Sequence, residues 1–218
     1  MFITMFLLGV LYLAIIAILS YVGFGIVPIM IFAGIMLFAQ YYFSDKIVLL
    51  GTGAKIVEEH EAPQLHDMVS RLCIEADIPK PRVAIVQSSI PNAFATGRSP
   101  KNAVVAVTTA LLNRLNTAEV EAVLAHEISH IKNRDVLVLT LASFFSTIAF
   151  FLARYLLFFA GGRRDSGGII IAWIASVVVW ILSFILIRAL SRYREFAADR
   201  GSAILTGHPS HLASALLK

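Results

Sequence analysis

Near the middle of the 218-residue chain, Ala125-His126-Glu127-Ile128-Ser129-His130 sets two histidines four apart, with a glutamate directly after the first. On an α-helix, positions i and i+4 stand one turn apart on one face. Both imidazoles therefore reach one metal ion, and Glu127 projects beside it. This is the chemistry of a hydrolase with one zinc, in which the metal acidifies a water and polarises a carbonyl while the carboxylate moves the proton. A catalytic zinc takes three protein ligands and leaves a fourth position open. The segment Arg192-Tyr193-Arg194-Glu195-Phe196-Ala197-Ala198-Asp199 offers the third, since Glu195 and Asp199 are again one turn apart. Glu195 completes a His/His/Glu set, and Asp199 can accept a hydrogen bond from a ligand imidazole and fix its tautomer. Tyr193, Arg194 and His211 are the candidates, by residue type, for stabilising an oxyanion. His60, His66, His208 and His211 lack metal-ligand spacing and read as surface or packing histidines.

The elements that position these residues follow from periodicity. Thr117 offers an N-cap ahead of a periodic apolar stretch reaching about Asn133, which places the two histidines on a helix. Before it, 62–76 carries Leu65, Met68, Val69, Leu72 and Cys73 on one helical face, and Ile78-Pro79-Lys80-Pro81 ends that helix. Residues 82–87 and 103–108 are short β-branched runs that read as strands, with 92–100 between them. Cys73 is the only cysteine, which excludes an internal disulfide and a cysteine-based zinc knuckle. It reads as a small buried apolar side chain.

Composition supplies the setting. The chain is 58% hydrophobic and only 15% charged, with mean hydropathy +0.81, against about 25% charged in ordinary soluble domains. No Lys, Arg, Asp or Glu precedes Asp45. A bilayer crossing needs about 20 mostly apolar residues, and uncharged runs occur at 2–22 and 26–43, then again at 136–153 and 169–187. A cleaved signal peptide is the rival reading of the first run, but no basic residue precedes it and a second span follows at once. Arg154, at the end of the third run, reads as snorkelling to the interface.

The fold expected is a mainly α integral membrane protein with two transmembrane helical hairpins and an α+β zincin-like metalloprotease domain. Its divisions are hairpin 1 at 1–44, the zincin-like domain at 45–135, hairpin 2 at 136–187 and the third-ligand helix at 188–218. Two crossings separate His130 from Glu195, so both return to one side of the bilayer. Lys46, Lys55, Lys132, Arg134, Arg188, Arg192 and Arg194 flank that side and mark it as cytoplasmic, with Arg163 and Arg164 opposite. The basic balance is therefore juxtamembrane and argues for the lipid bilayer, with no nucleic acid as a partner.

The run Leu124-Ala-His-Glu-Ile-Ser-His-Ile-Lys-Asn-Arg-Asp135, the run Arg194-Glu-Phe-Ala-Ala-Asp199, and Pro91-Asn-Ala-Phe-Ala-Thr-Gly97 followed by Ala103-Val-Val-Ala-Val107 together resemble the HtpX family of membrane-bound zinc metalloproteases, related to CAAX prenyl proteases. The similarity covers nearly the whole chain. It implies an inner-membrane, multi-pass endopeptidase acting on damaged or misfolded membrane proteins. One Zn2+ per chain would be held by His126, His130 and Glu195, with Glu127 as catalytic base. The resemblance also implies that the segment around Asn92, Ala93 and Phe94 binds an extended peptide substrate by β-augmentation; the alternative for Asn92 and Phe94 is that they simply turn and pack the chain. Members of that family usually continue for several dozen residues beyond the Glu195 helix, whereas this sequence stops at Lys218. The alternative expectation is a zinc-binding but catalytically impaired fragment or regulatory membrane protein.

Overall fold

The computed structural model describes residues 41–140 and 166–218, with isolated positions between 31 and 39. The runs at 2–22, most of 26–43, and 136–160 beyond Thr140 lie outside the described residues, as do Arg154, Arg163 and Arg164. In chain order the elements are α1 (Ser44–Thr52), β1 (Lys55–Ile56), α2 (Pro63–Ala76), β2 (Arg82–Val86), β3 (Ala93–Thr96), a 3-10 turn (Pro100–Asn102), β4 (Val104–Thr108), α3 (Thr109–Arg114), α4 (Thr117–Lys132), α5 (Ser166–Thr206) and α6 (Pro209–Leu216). The described residues are thus mostly helical with one small sheet.

The sheet runs β1-β2-β4-β3. Strands β2 and β4 are parallel, while β1 on β2 and β3 on β4 are antiparallel. Strand β4, Val-Val-Ala-Val-Thr, is buried at all five positions, as its unbroken apolar run requires of a strand covered on both faces. One face packs on α2 and α4 through Leu65, Val69, Leu72, Val83, Val105, Val107, Leu124 and Ile128. The other carries Ala84, Val86, Val104 and Ala106 against Leu49 of α1 and Phe94. Cys73 is buried, as its apolar surroundings suggest.

Helix α2 begins with Pro63 in its first turn and ends where Asp77 turns left-handed at φ 54°. Helix α4 starts differently from the sequence expectation. Asn116, not Thr117, is the N-cap: its side chain accepts from the Glu119 N–H at 2.9 Å, and Glu119 accepts from the Asn116 N–H at 2.9 Å. The reciprocal bonds satisfy two otherwise orphaned donors and outcompete a lone threonine.

Helix α5 is one continuous element of 41 residues, about 60 Å long at 1.5 Å per residue. Helix α5 begins at Ser166. The helix passes from the apolar run straight into the Glu195 segment without interruption. Its described side chains Ile174, Val178, Leu182, Phe184, Ile185 and Leu186 are exposed. Over the described residues alone, no helix is long and apolar enough to cross a membrane.

Candidate metal centre

Helix α4 presents Val120, Leu124, Ile128 and Ile131 to the core, which leaves His126, Glu127 and His130 half-buried on another face. Helix α5 reaches that face because the seam between the helices is built from small residues. Ala122 and Ala125 on α4 and Ala198 on α5 have no exposed surface. A Cβ on Gly201 would lie 2.2 Å from Ser129 Oγ and 2.7 Å from Ser129 Cβ. Ser202 donates to the Ala122 carbonyl at 2.7 Å, and Ser129 returns its hydroxyl to its own helix at Ala125 O, 2.8 Å away. Both seam hydroxyls are thus spent on backbone carbonyls.

The seam carries Glu195 to the two histidines. His126 Nε2 and His130 Nε2 are 3.1 Å apart, and Glu195 Oε2 stands 3.5 Å from the first and 3.8 Å from the second. Ligand atoms of a tetrahedral zinc with bonds of about 2.0 Å lie roughly 3.3 Å from one another. The three groups fit such an ion in both donor type and spacing, and among the described residues they form the one His/Cys/Asp/Glu group able to hold a metal.

The outer ring nitrogens face carboxylates. His130 Nδ1 is 2.5 Å from Asp135 Oδ2, and His126 Nδ1 is 3.0 Å from Asp199 Oδ1. The second pair is close but off the line a hydrogen bond needs, so His126 Nδ1 makes no hydrogen bond. Asp135 reaches His130 because Arg134 adopts a left-handed conformation, φ 55°, and turns the chain back under α4. Its carboxylate is also ion-paired with Arg194, and Arg194 donates to the Asn133 carbonyl at 2.7 Å. Neither Arg194 nor Asp135 was legible as a partner of the other from sequence. The usable signal was the need of each ligand imidazole for an acceptor on its far nitrogen.

Burial pushes the Glu127 carboxyl above its usual range, and Glu195 adds to that. The imidazoles of His126 and His130 and a hydrogen bond from the Ala95 backbone act in the opposite direction. Ala95 lies on β3, the strand at the sheet's edge. The Thr108 N–H bonds Asn92 O at 2.9 Å, so by antiparallel alternation Asn92, Phe94 and Thr96 turn their backbone groups to β4 while Ala93 and Ala95 turn theirs outward. Phe94 packs its ring on the sheet face, and Asn92 N donates to Thr108 Oγ1 at 2.9 Å. The strand ends at Gly97, whose φ of 119° and near contact with Asn102 O leave no room for a Cβ.

The other sequence candidates have these surroundings. Tyr193 is 71% exposed, Arg194 is engaged by Asp135, and His211 sits against His208 with ring centroids 5.0 Å apart. His66 Nε2 meets Val57 O at 3.0 Å. An open recess of about 490 Å³ is lined by Glu58, Glu59, His60, His66, Lys80 and Arg82. It lies at the β1 side of the sheet, with its charges largely paired.

Two histidines and a carboxylate converging on one point, with a half-buried glutamate beside an edge strand, define the class as a metalloprotease. The sequence model of peptidase family M48 matches residues 59–218. The chain is 63% identical to "Protease HtpX homolog 2" of Methanosarcina acetivorans, covering all of this chain and 76% of that one. It is 59% identical to "Protease HtpX homolog" of Moorella thermoacetica, covering all of this chain and 75% of the relative. In fold it matches the crystal structure of S. mikatae Ste24p with a TM-score of 0.65 at 21% identity, over 95% of this chain and 53% of that one. It thus spans about half the length of Ste24p. The chain belongs to peptidase family M48 and is of the HtpX type.

Proposed function

We propose that this chain is a membrane-bound, zinc-dependent endopeptidase that cleaves damaged or misfolded membrane proteins on the cytoplasmic face of the cell membrane. The observation that carries the reading is the convergence of His126 Nε2, His130 Nε2 and Glu195 Oε2 within 3.8 Å. These three would hold one zinc ion. When bound, zinc supplies Lewis acidity that acidifies a water and polarises the scissile carbonyl. Glu127 is the base: its carboxylate accepts the proton of the attacking water and delivers it to the leaving amine. Burial favours the protonated form it must reach after the first step. Asp135 holds the His130 ring, and Asp199 faces the outer nitrogen of His126. The outward backbone groups of Ala93 and Ala95 pair with an extended peptide as an added strand, and Asn92 and Phe94 fix that edge by their own pairing and packing.

The exposed apolar side chains of α5 between Ile174 and Leu186 support the reading of 169–187 as a span. With 1–44 and 136–187 as hairpins, the 45–135 domain and the 188–218 helix share one side. The test is zinc content per chain in detergent-purified protein, wild type beside His126→Ala. About one zinc in the wild type and little in the variant is the expected result. Equal zinc in both removes His126 from the ligand set.

A further inference from the structure

We propose that Arg194 is a positioning residue that locks the third-ligand helix onto the end of α4 and thereby sets zinc affinity, without itself touching metal or substrate. The inference rests on the zinc reading above and goes beyond its ligand set. Arg194 directly precedes Glu195, and its guanidinium points away from the metal centre toward the turn that closes α4. There it is ion-paired with Asp135 and donates to the Asn133 carbonyl at 2.7 Å. Both side chains are largely removed from solvent, at 14% and 7% exposure. The other oxygen of the same carboxylate is 2.5 Å from His130 Nδ1.

One buried carboxylate therefore bridges two consequences. It orients the imidazole of one ligand, and through Arg194 it fixes the helix register of another ligand 65 residues later in sequence, a link that no local spacing supplies. Removing the guanidinium leaves Asp135 buried without its counter-charge, and the carboxylate is then free to turn away from His130 toward water. That change releases His130 at the same time as Glu195. Both of these contacts of the guanidinium are made by Nη2, toward the turn that closes α4. Its part is to bring ligands together.

The experiment is a double-mutant cycle on zinc affinity, measured by chelator competition on the full chain in detergent. Protection of buried Cys73, 2% exposed, from a thiol reagent reports the fold. Arg194→Met and Asp135→Asn should each weaken zinc binding about 10–100-fold, the usual effect of losing a group that orients a ligand. The double variant should be no weaker than either single one, because the lock is already open. Wild-type affinity in Arg194→Met with Cys73 protected overturns the proposal, and so does a double variant in which the two losses multiply. If Arg194→Met exposes Cys73, the comparison of Asp135→Asn with the double variant decides, since the double variant carries no orphaned buried charge. Equal affinity supports the lock, and a further tenfold loss overturns it. A wild-type chain that binds no zinc while Cys73 stays protected overturns the metal reading itself, a result distinct from a failed cycle.

Discussion

In the proposed mechanism Glu127 is the residue on which turnover depends most directly, and its chemistry is separable from metal binding. Glu127→Gln keeps shape and hydrogen-bonding capacity but cannot accept a proton. Activity on a peptide substrate should fall about 10²–10⁴-fold while zinc content stays at the wild-type level; persistent cleavage would assign the base elsewhere. Glu119 gives a second prediction, on stability. Lys218 and Ser214 each reach it at 2.7 Å, and with the Asn116 N–H they hold its carboxyl down to about 2. A depressed folded pKa contributes stability that is fully present above the ordinary value of 4.5 and disappears as pH falls toward 2. In denaturant titrations, the stability gap between wild type and Glu119→Gln should be constant near neutrality and close over that acid window. At this scale the sequence is most readable where chemistry is local. His126, Glu127 and His130 share one helical turn, so spacing alone placed them together. The Arg194–Asp135 pair spans elements far apart in sequence, and only the packed structure reveals it.

The elements show why the site is tight. The α4–α5 seam leaves no volume at Ser129 and Gly201, so a methyl on Gly201 has to push Ser129 of α4 away and, with it, separate the helix that carries His126 and His130 from the one that carries Glu195. Gly201→Ala should therefore lower zinc affinity although it touches no ligand. The added variant Ser129→Gly removes both clashing atoms, leaving Ser129 Cα at 4.0 Å as the nearest neighbour. That double variant should recover the affinity, less about 1 kcal/mol of stability for a glycine within a helix. Failure to recover would show that Gly201 acts through something other than the Ser129 contact. Strand β3 depends likewise on Gly97: Gly97→Ala forces a Cβ onto Asn102 O and should speed amide exchange across Ala93–Thr96 before it affects α2. The two longer strands and helices α2 and α4 were legible in the sequence to within a residue or two, because their apolar periods are strong. The N-cap of α4 fell one residue early, at Asn116. The short β3 gave no periodic signal of its own, since its four residues Ala-Phe-Ala-Thr take their strand conformation from β4; only the resemblance pointed to it.

At the scale of the whole molecule, the reading requires an even number of crossings between His130 and Glu195, since both stand at one metal centre. That parity follows from counting uncharged runs. Orientation is checked by labelling engineered cysteines from either side of the membrane, against a background in which buried Cys73 stays silent. A cysteine at Glu58 should react only from the cytoplasmic side and one at Gly162 only from the opposite side; labelling of both from one side contradicts the two hairpins. What composition could not convey is that the apolar run and the third ligand belong to one rod. Between Ile169 and Arg200 helix α5 contains neither proline nor glycine, and so offers no swivel along that length. Each residue advances the helix by about 100°, and the azimuth of Glu195 is geared directly to that of the hydrophobic half. Whatever grips that half sets the angle at which the carboxylate meets His126 and His130, so a slip of one residue's rotation there would turn Glu195 away from the centre.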